Sequence, residues 1–470
     1  MRPTLFALAA TASIAGCSLT PLDQPLTVAS GLTSHLMCSG HLITGRPADV
    51  VYRQSVEVHG AMPLLRPFVQ VDVDAERQQV RTQIGGGYRT RAIHRPGEGC
   101  LLLHDNDAPP RPDPPLAWGD TPPLLPEIAG PAPVPASDPR LAAALDQAFA
   151  EPPGDAYRHT QAVVIVHRGR VIAERYAPGI GVRTPMLSFS VAKTLTNALV
   201  GTLVQRGQLA LDRGALLPQW SDPDDPRRAI TIDHLLRQTA GLAVPEQNNS
   251  GFDLDSRIKY VERDPVAAIA ALPPGEAPGT RWAYSDANFL TIGRVLRDTL
   301  GGSAAGVRRH AQQALFAPLG MRDVQIDADA TGTPLISHST YAPARDWARL
   351  GLLFLNDGVV GGERLLPPGW VRDSTTPTPG TGYGAGLWTN ALPGTMGQWG
   401  IPWGLPSLPK DTYFARGYTG QFIVIVPSQQ LVVVRMGPAK IRRAVIDDID
   451  RLVAQVIEAL PAPVAALSTP

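Results

Sequence analysis

The chain has very little lysine. Only Lys193, Lys259, Lys410 and Lys440 occur in 470 residues, and the rest of its 42 basic side chains are arginine. Together with 47 prolines and many alanines, this reflects a GC-rich coding bias rather than a function. Net charge is also missing, because 42 basic residues face 42 acidic ones. Such a chain has no global field to draw in nucleic acid, so nucleic acid is not expected as a partner. Charged residues make up 18% and hydrophobic ones 44%, which argues against a disordered chain and against a multi-span membrane protein. Metal-ligand spacing is lacking as well: His234, His310 and His338 stand without paired ligands, so neither metal nor cofactor is expected. No internal repeat is visible. The length is enough for a large buried core and more than one folding unit.

Cysteine is scarce too, at three residues. Arg2 and the short apolar stretch Leu5–Ile14, too short to span a bilayer, read as an export signal over residues 1–16. Ile14-Ala15-Gly16-Cys17 looks like a lipobox, where a bacterial lipoprotein is cleaved and its new N-terminal Cys17 acylated; ordinary signal cleavage nearby is the alternative. The expected address is the cell envelope, with the chain facing the periplasm and touching the membrane through a lipid anchor only. In an oxidising envelope Cys38 and Cys100 are able to pair and close the N-terminal segment into one unit. Two free buried thiols are the other possibility.

Organisation follows from composition. Leu36 to His104 alternates polar and apolar residues (Val69-Gln-Val-Asp-Val73, Gln79-Val-Arg-Thr-Gln-Ile84), punctuated by Gly85-Gly-Gly87 and Pro96-Gly97. This predicts a small β-rich module within residues 17–107. Residues 108–139 carry about a dozen prolines, such as Pro109-Pro110 and Pro122-Pro123, and read as a stiff extended linker in which Trp118 is free to dock on the body. Residues 140–462 form the body, and 463–470 a flexible tail. Ala162–Val166 and Val171–Ala173 flank the turn His167-Arg-Gly-Arg170, and Phe422–Val426 and Leu431–Val434 flank Pro427-Ser-Gln-Gln430; each reads as a hairpin. A helix from Arg442 to Leu460 follows, with Val445, Ile449, Leu452, Val453 and Val456 at helical spacing. The fold class is therefore α/β (α+β): an antiparallel sheet flanked by helices, with a mostly helical subdomain inserted between its β-rich ends.

Three of the four lysines close a Ser-x-x-Lys pattern: Ser190/Lys193, Ser256/Lys259 and Ser407/Lys410. Pro409 makes a helical register between Ser407 and Lys410 improbable. Ser256-Arg-Ile-Lys259 sits among Asp253, Asp255, Arg257 and Glu262 and reads as a solvated helix face. Ser190 instead leads an almost uncharged helix, Val191 to Val200, where residues three apart share one face. Burial there penalises the charged amine, so the Lys193 pKa is expected to fall until the amine can carry protons near neutral pH. The helix N-terminus offers N–H groups to a developing oxyanion.

Ser190-Val-Ala-Lys193, Tyr284-Ser285-Asp286 and Tyr418-Thr419-Gly420 occur in an order and spacing that resemble the serine β-lactamase and penicillin-binding-protein superfamily. The similarity is to the class C-type group, with its esterase, amidase and 6-aminohexanoate-dimer hydrolase relatives. His234–Leu242, Pro318-Leu-Gly-Met321, Ala344–Gly351 and Gly417–Gln421 look similar as well. The resemblance runs from about Ala162 to Gly437 and omits the N-terminal module. It implies an acyl-enzyme on Ser190, with Lys193 and Tyr284 sharing base duty. It further implies that the third motif lies across the cleft, so that the backbone N–H groups of Gln421 and Ser190 form an oxyanion hole.

Two departures bear on substrate. The family's third motif usually begins with a Lys that recognises a carboxylate; here Tyr418 stands there, with Arg416 close in sequence. Its second motif usually ends in Asn; here it ends in Asp286, which repels anionic substrates and is able to hold Lys193 charged. Both favour an esterase or amidase acting on neutral or cationic small-molecule or cell-envelope substrates over a β-lactamase or D-alanyl-D-alanine carboxypeptidase. A catalytically degenerate envelope scaffold is the rival. The segment Tyr383–Pro409, with Trp388, Trp399 and Trp403, either walls the cleft or anchors a surface loop. His338 reads as structural.

Overall fold

The computed structural model describes residues 22–461 apart from 105–106, 115, 119–121, 154–156, 245–249 and 441. The export signal, Cys17 and the tail therefore lie outside the described residues.

The chain enters through helix α1 (Asp23–Met37), which leads by further short helical turns into a four-stranded antiparallel meander: β1 (Val69–Asp74), β2 (Gln79–Ile84), β3 (Tyr88–Arg95) and β4 (Gly99–His104). The sheet falls where polar–apolar alternation placed it, with Val69 opposite Ile84 and Ile93 opposite Leu101. The module is nonetheless less purely β than its sequence suggested. Val28, Ala29, Leu32 and Leu36 form a helical stripe buried against Val80, Ile84 and Ala92 of the sheet. A disulfide joins Cys38 to Cys100.

Asp327 of the body fastens this module in place. Its carboxylate accepts from the Cys100 backbone N–H at 2.5 Å and from the Tyr341 hydroxyl at 3.0 Å, and lies 2.8 Å from His35 Nε2 on α1. The Tyr341 hydroxyl also meets Ser39 Oγ at 2.9 Å. A buried network satisfied from both sides fixes orientation as well as contact.

The proline-rich run is extended, as its prolines require, but it is not a free linker. Leu125 and Ile128 are buried in the main core, and the N–H groups of Leu124 and Leu125 both donate to Pro318 O. Arg345 donates to Gly130 O and Ala132 O while pairing with Glu174. An extended chain without internal hydrogen bonds leaves its carbonyls open, and here arginines of the body take them up. Trp118 does meet the body, under the Arg322 guanidinium at 5.2 Å from its ring centre.

After helix α2 (Pro139–Phe149), the body is built on a six-stranded antiparallel sheet. Its strands are β5 (Ala162–His167), β6 (Arg170–Tyr176), β7 (Trp388–Thr389), β8 (Tyr413–Gly417), β9 (Gln421–Val426) and β10 (Leu431–Met436), in the order β7-β8-β9-β10-β5-β6. Val424 faces Val433, which in turn faces Ile165. The central strands β5, β9 and β10 are almost wholly apolar because both faces are covered. Val164, Ile423, Ile425, Val432 and Val434 pack into the core shared with the inserted helices. Val163, Ile165, Val424 and Val433 pack against the terminal helices. The inserted helices that matter below are α3 (Ala192–Gln205), α4 (Leu254–Tyr260), α5 (Asp286–Thr299) and α6 (Ala344–Leu355), and the chain closes with α7 (Arg442–Ala459). Gly351 of α6 lets that helix sit directly on the sheet: a Cβ there would come 2.6 Å from Val432 Cγ1.

Candidate active site

Ser190 lies in the 3-10 turn Phe189–Val191 that opens α3. Phe189 adopts φ +45°, a left-handed conformation costly for an aromatic residue. The strained turn sets Ser190 against the cavity, and α3 is buried from Ala192 to Leu203. One turn on, Lys193 Nζ donates to Ser190 Oγ at 3.2 Å, to Ser337 O at 2.9 Å and to Asp286 Oδ1 at 2.5 Å.

Asp286 is the first residue of α5, with Ser285 as its N-cap. Its second oxygen, Oδ2, pairs with Lys259 Nζ of α4 at 3.2 Å. The segment expected to be a solvated helix face is therefore buried. Lys259 is 9% exposed and Asp286 2%. Tyr260, beside Lys259, packs in the N-terminal module's core, and Gly31 of α1 approaches its carbonyl so closely that a Cβ would come within 2.7 Å. The covering partner belongs to a different part of the chain, so the local charges misled. Ser256 plays no part like that of Ser190, since its hydroxyl donates to Asp253, the N-cap of α4, at 2.8 Å. Ser407 and Lys410 lie outside any helix.

The electrostatics also correct the expectation for Lys193. Burial disfavours its charge, but Asp286 and Tyr284 outweigh burial and raise its pKa above the ordinary lysine value. Lys193 is thus an ammonium at neutral pH, not a free amine. Burial likewise opposes the Asp286 carboxylate, yet Lys193 and Lys259 hold it below the usual carboxylate range. Beside it, Asp255 accepts from the Asp286 N–H at 2.5 Å and from Ser285 Oγ at 3.1 Å. Burial and the Asp286 charge push Asp255 up to about 7. His338 lines the same cavity and is pushed down to about 3, chiefly by burial, so it is neutral there.

Tyr284 lies across from Ser190 with Lys193 Nζ 5.0 Å from its ring centre. It belongs to an aromatic cluster with Trp282, Tyr383, Trp388 and Trp399. Both alternatives for the tryptophan-rich segment hold, for different residues. Trp388 and Trp399 line the cavity, whereas Trp403 packs behind them against Trp282 and Trp388. Arg416 lies flat on Trp388, 3.7 Å from its ring centre, and lines the cavity as well.

Tyr418-Thr419-Gly420 forms the turn between β8 and β9, with Thr419 at φ +61°. Gln421 begins β9 opposite Gly417, and its side chain bonds Tyr418 O, Thr419 Oγ1 and Gly437 behind the turn. Arg416 to Gly420, and Phe422 on the far side of Gln421, line the Ser190 cavity. Both β8 and β9 lie against the Ser190 turn, and a Cβ on Gly417 would come 2.3 Å from Ser188 O. The Tyr418 ring is held between Phe189 and His59, the latter from the N-terminal module. Sequence reasoning missed Lys259, Asp255 and the module's own wall residues. The pairing of Leu254 with Ile258 on one face of α4 was the only local sign that this helix is buried.

This arrangement on this scaffold places the protein among the serine β-lactamases and penicillin-binding proteins. Residues 145–446 match the Beta-lactamase family model, well over half of the chain, and the chain belongs to that family. It is 30% identical to penicillin-binding protein 4 of Amycolatopsis lactamdurans over 168 residues, covering 35% of this chain and 40% of that relative's length. It is 23% identical to 6-aminohexanoate-dimer hydrolase of Paenarthrobacter ureafaciens over 302 residues, covering 59% of this chain and 72% of the relative. Among solved structures, a penicillin-binding protein homolog from Caulobacter crescentus superposes with a TM-score of 0.52 at 17% identity, covering 71% of this chain and all of that one. The chain thus has the fold of that family and spans less than half the length of the penicillin-binding protein 4 it matches.

Proposed function

We propose that the protein is an esterase or amidase that forms an acyl-enzyme on Ser190. The observation that carries this reading is the Ser190 hydroxyl, 3.2 Å from a buried ammonium and facing a cavity shared with Tyr284. Ser190 Oγ attacks the carbonyl carbon. The Tyr284 hydroxyl serves as a relay in one concerted transfer, its oxygen receiving the serine proton as its own proton passes to the departing alcohol or amine. Lys193, already charged, donates to Ser190 Oγ and stabilises negative charge on either oxygen. The backbone N–H groups of Ser190 and Gln421 are the candidate oxyanion donors, because Gln421 opens β9 between Gly420 and Phe422, which both line the Ser190 cavity. Water then enters by the reverse path and releases the acid. The 6-aminohexanoate-dimer hydrolase likeness supports an amide or ester substrate. No lysine stands in the third motif, and Asp286 holds both Lys193 and Lys259; this weighs against dependence on a substrate carboxylate. A fluorophosphonate probe is expected to label the wild type and not Ser190→Ala, with chromogenic turnover in the order ester, amide, β-lactam. Equal labelling of the two proteins would falsify the assignment, and efficient lactam hydrolysis would reverse the substrate order.

A further inference from the structure

The N-terminal module lies outside the family match, yet it forms one wall of the cavity that contains Ser190. The cavity measures about 320 Å³, within the span of about 300 to 1,000 Å³ common for ligand pockets. Its charged side chains belong to the Lys259–Asp286 cluster and Arg416. Away from these, the module contributes Pro25, Leu26, Ala29 and Leu32 of α1, with Met62 and Leu65 from the segment that follows. Phe422 of β9 and Val445 and Ile446 of α7 face them from the body. Two apolar residues on the lining are open to solvent, Leu22 at 57% exposure and Phe252 at 61%. The wall is not a loosely tethered lid, because the Asp327 network fixes α1 and β4 on the body and the Cys38–Cys100 bridge ties the end of α1 to β4.

Resting on the hydrolase reading above, we propose that the substrate carries an apolar chain, and that the N-terminal module is the element that receives it. The chemical class is an ester or amide with a linear or branched hydrocarbon group on one side of the scissile bond. The carbonyl sits at Ser190, and the chain runs between α1 and the Phe422–Ile446 wall. The α1, Phe422 and Val445–Ile446 part of the lining is apolar, so it gains from each methylene removed from water.

Two ester series test this on the full chain, one varied in the acyl group and one in the alcohol, each from two to twelve carbons. In one of them kcat/KM is expected to rise up to about fourfold per added methylene until the cavity is filled. Ala29→Trp, which fills the cavity from α1, lowers the eight-carbon to two-carbon ratio at least tenfold. Leu22→Asp, at an exposed position where folding is not at stake, lowers it severalfold. A long-chain fluorophosphonate labels the wild type faster than a short one, and Ala29→Trp removes that difference. Flat profiles in both series, or ratios that neither variant alters, overturn the inference while leaving the hydrolase intact. No turnover of any ester, combined with no labelling of Ser190, overturns the hydrolase reading and this inference with it.

Discussion

Two Ser-x-x-Lys segments meet at one carboxylate and do different work. In α3 the serine precedes the helix, faces the cavity and receives a hydrogen bond from its own lysine. In α4 the serine is the third residue of the helix and donates to the N-cap Asp253. Both lysines reach Asp286, at 2.5 and 3.2 Å. The difference teaches that the spacing only places a lysine one turn from a serine. Where the serine falls relative to the helix start decides whether its hydroxyl is available for chemistry or occupied by a cap.

The comparison is most sharply tested at the serines. Ser190→Ala is expected to lower kcat by about 10⁴-fold or more. Ser256→Ala should stay within about threefold and cost about 1 kcal/mol of stability, the loss of one hydroxyl bond. Steady-state kinetics and urea unfolding on both variants decide it, and an equal loss of turnover in the second would erase the distinction drawn here.

A smaller effect is expected at the shared carboxylate. Asp286→Asn leaves two buried ammoniums without their counter-charge and should destabilise the fold by about 3–5 kcal/mol. Adding Lys259→Met to that variant is expected to recover more than half of the loss, because one of the two uncompensated charges is gone. Chemical denaturation of the single and double variants measures this. If the second substitution makes matters worse, Lys259 is held in place by something other than Asp286.

The smallest effect concerns pH. Asp255 has its folded pKa raised from near 4 to about 7, so the folded state binds that proton more tightly than the unfolded chain. Its contribution to stability is therefore complete below about pH 4 and is lost as pH rises to about 7. Asp255→Asn removes this dependence. Relative to the wild type, the variant should gain stability progressively between pH 4 and 7 and no further above it. Asp346, also pushed up to about 7 by burial, keeps part of the slope in both proteins. A constant difference between urea midpoints at pH 5 and pH 7.5 would show that Asp255 does not titrate in this window.

Much of the body was legible because its signals are local. The strands β5, β9 and β10 are apolar runs bounded by turns, and α7 carries its stripe at helical spacing, so each announced itself. Ser190 and Lys193 stood out by the uncharged helix they open together with the motifs downstream, and Tyr284 came only from the family resemblance. The Pro-rich run was legible as extended, but what it docks on was not, since that depends on Arg345 and Pro318, both some 200 residues downstream in sequence. That Tyr418-Thr419-Gly420 forms a turn was not legible, because the strand ends there are set by the pairing of Gly417 with Gln421.

Residue order alone was enough for the central strands, for Ser190 and Lys193 as candidates, and for the family. The strands rest on periodicity within a few residues, and the family on three motifs in order from Ser190 to Gly420. The charge of Lys193, the burial of Lys259 and the module's place on the cavity wall come from the three-dimensional arrangement. Charge state depends on which carboxylate comes within reach, and burial depends on which surface covers a helix. Here the carboxylate lies on α5 and the covering surface on α1, each far from its target along the chain.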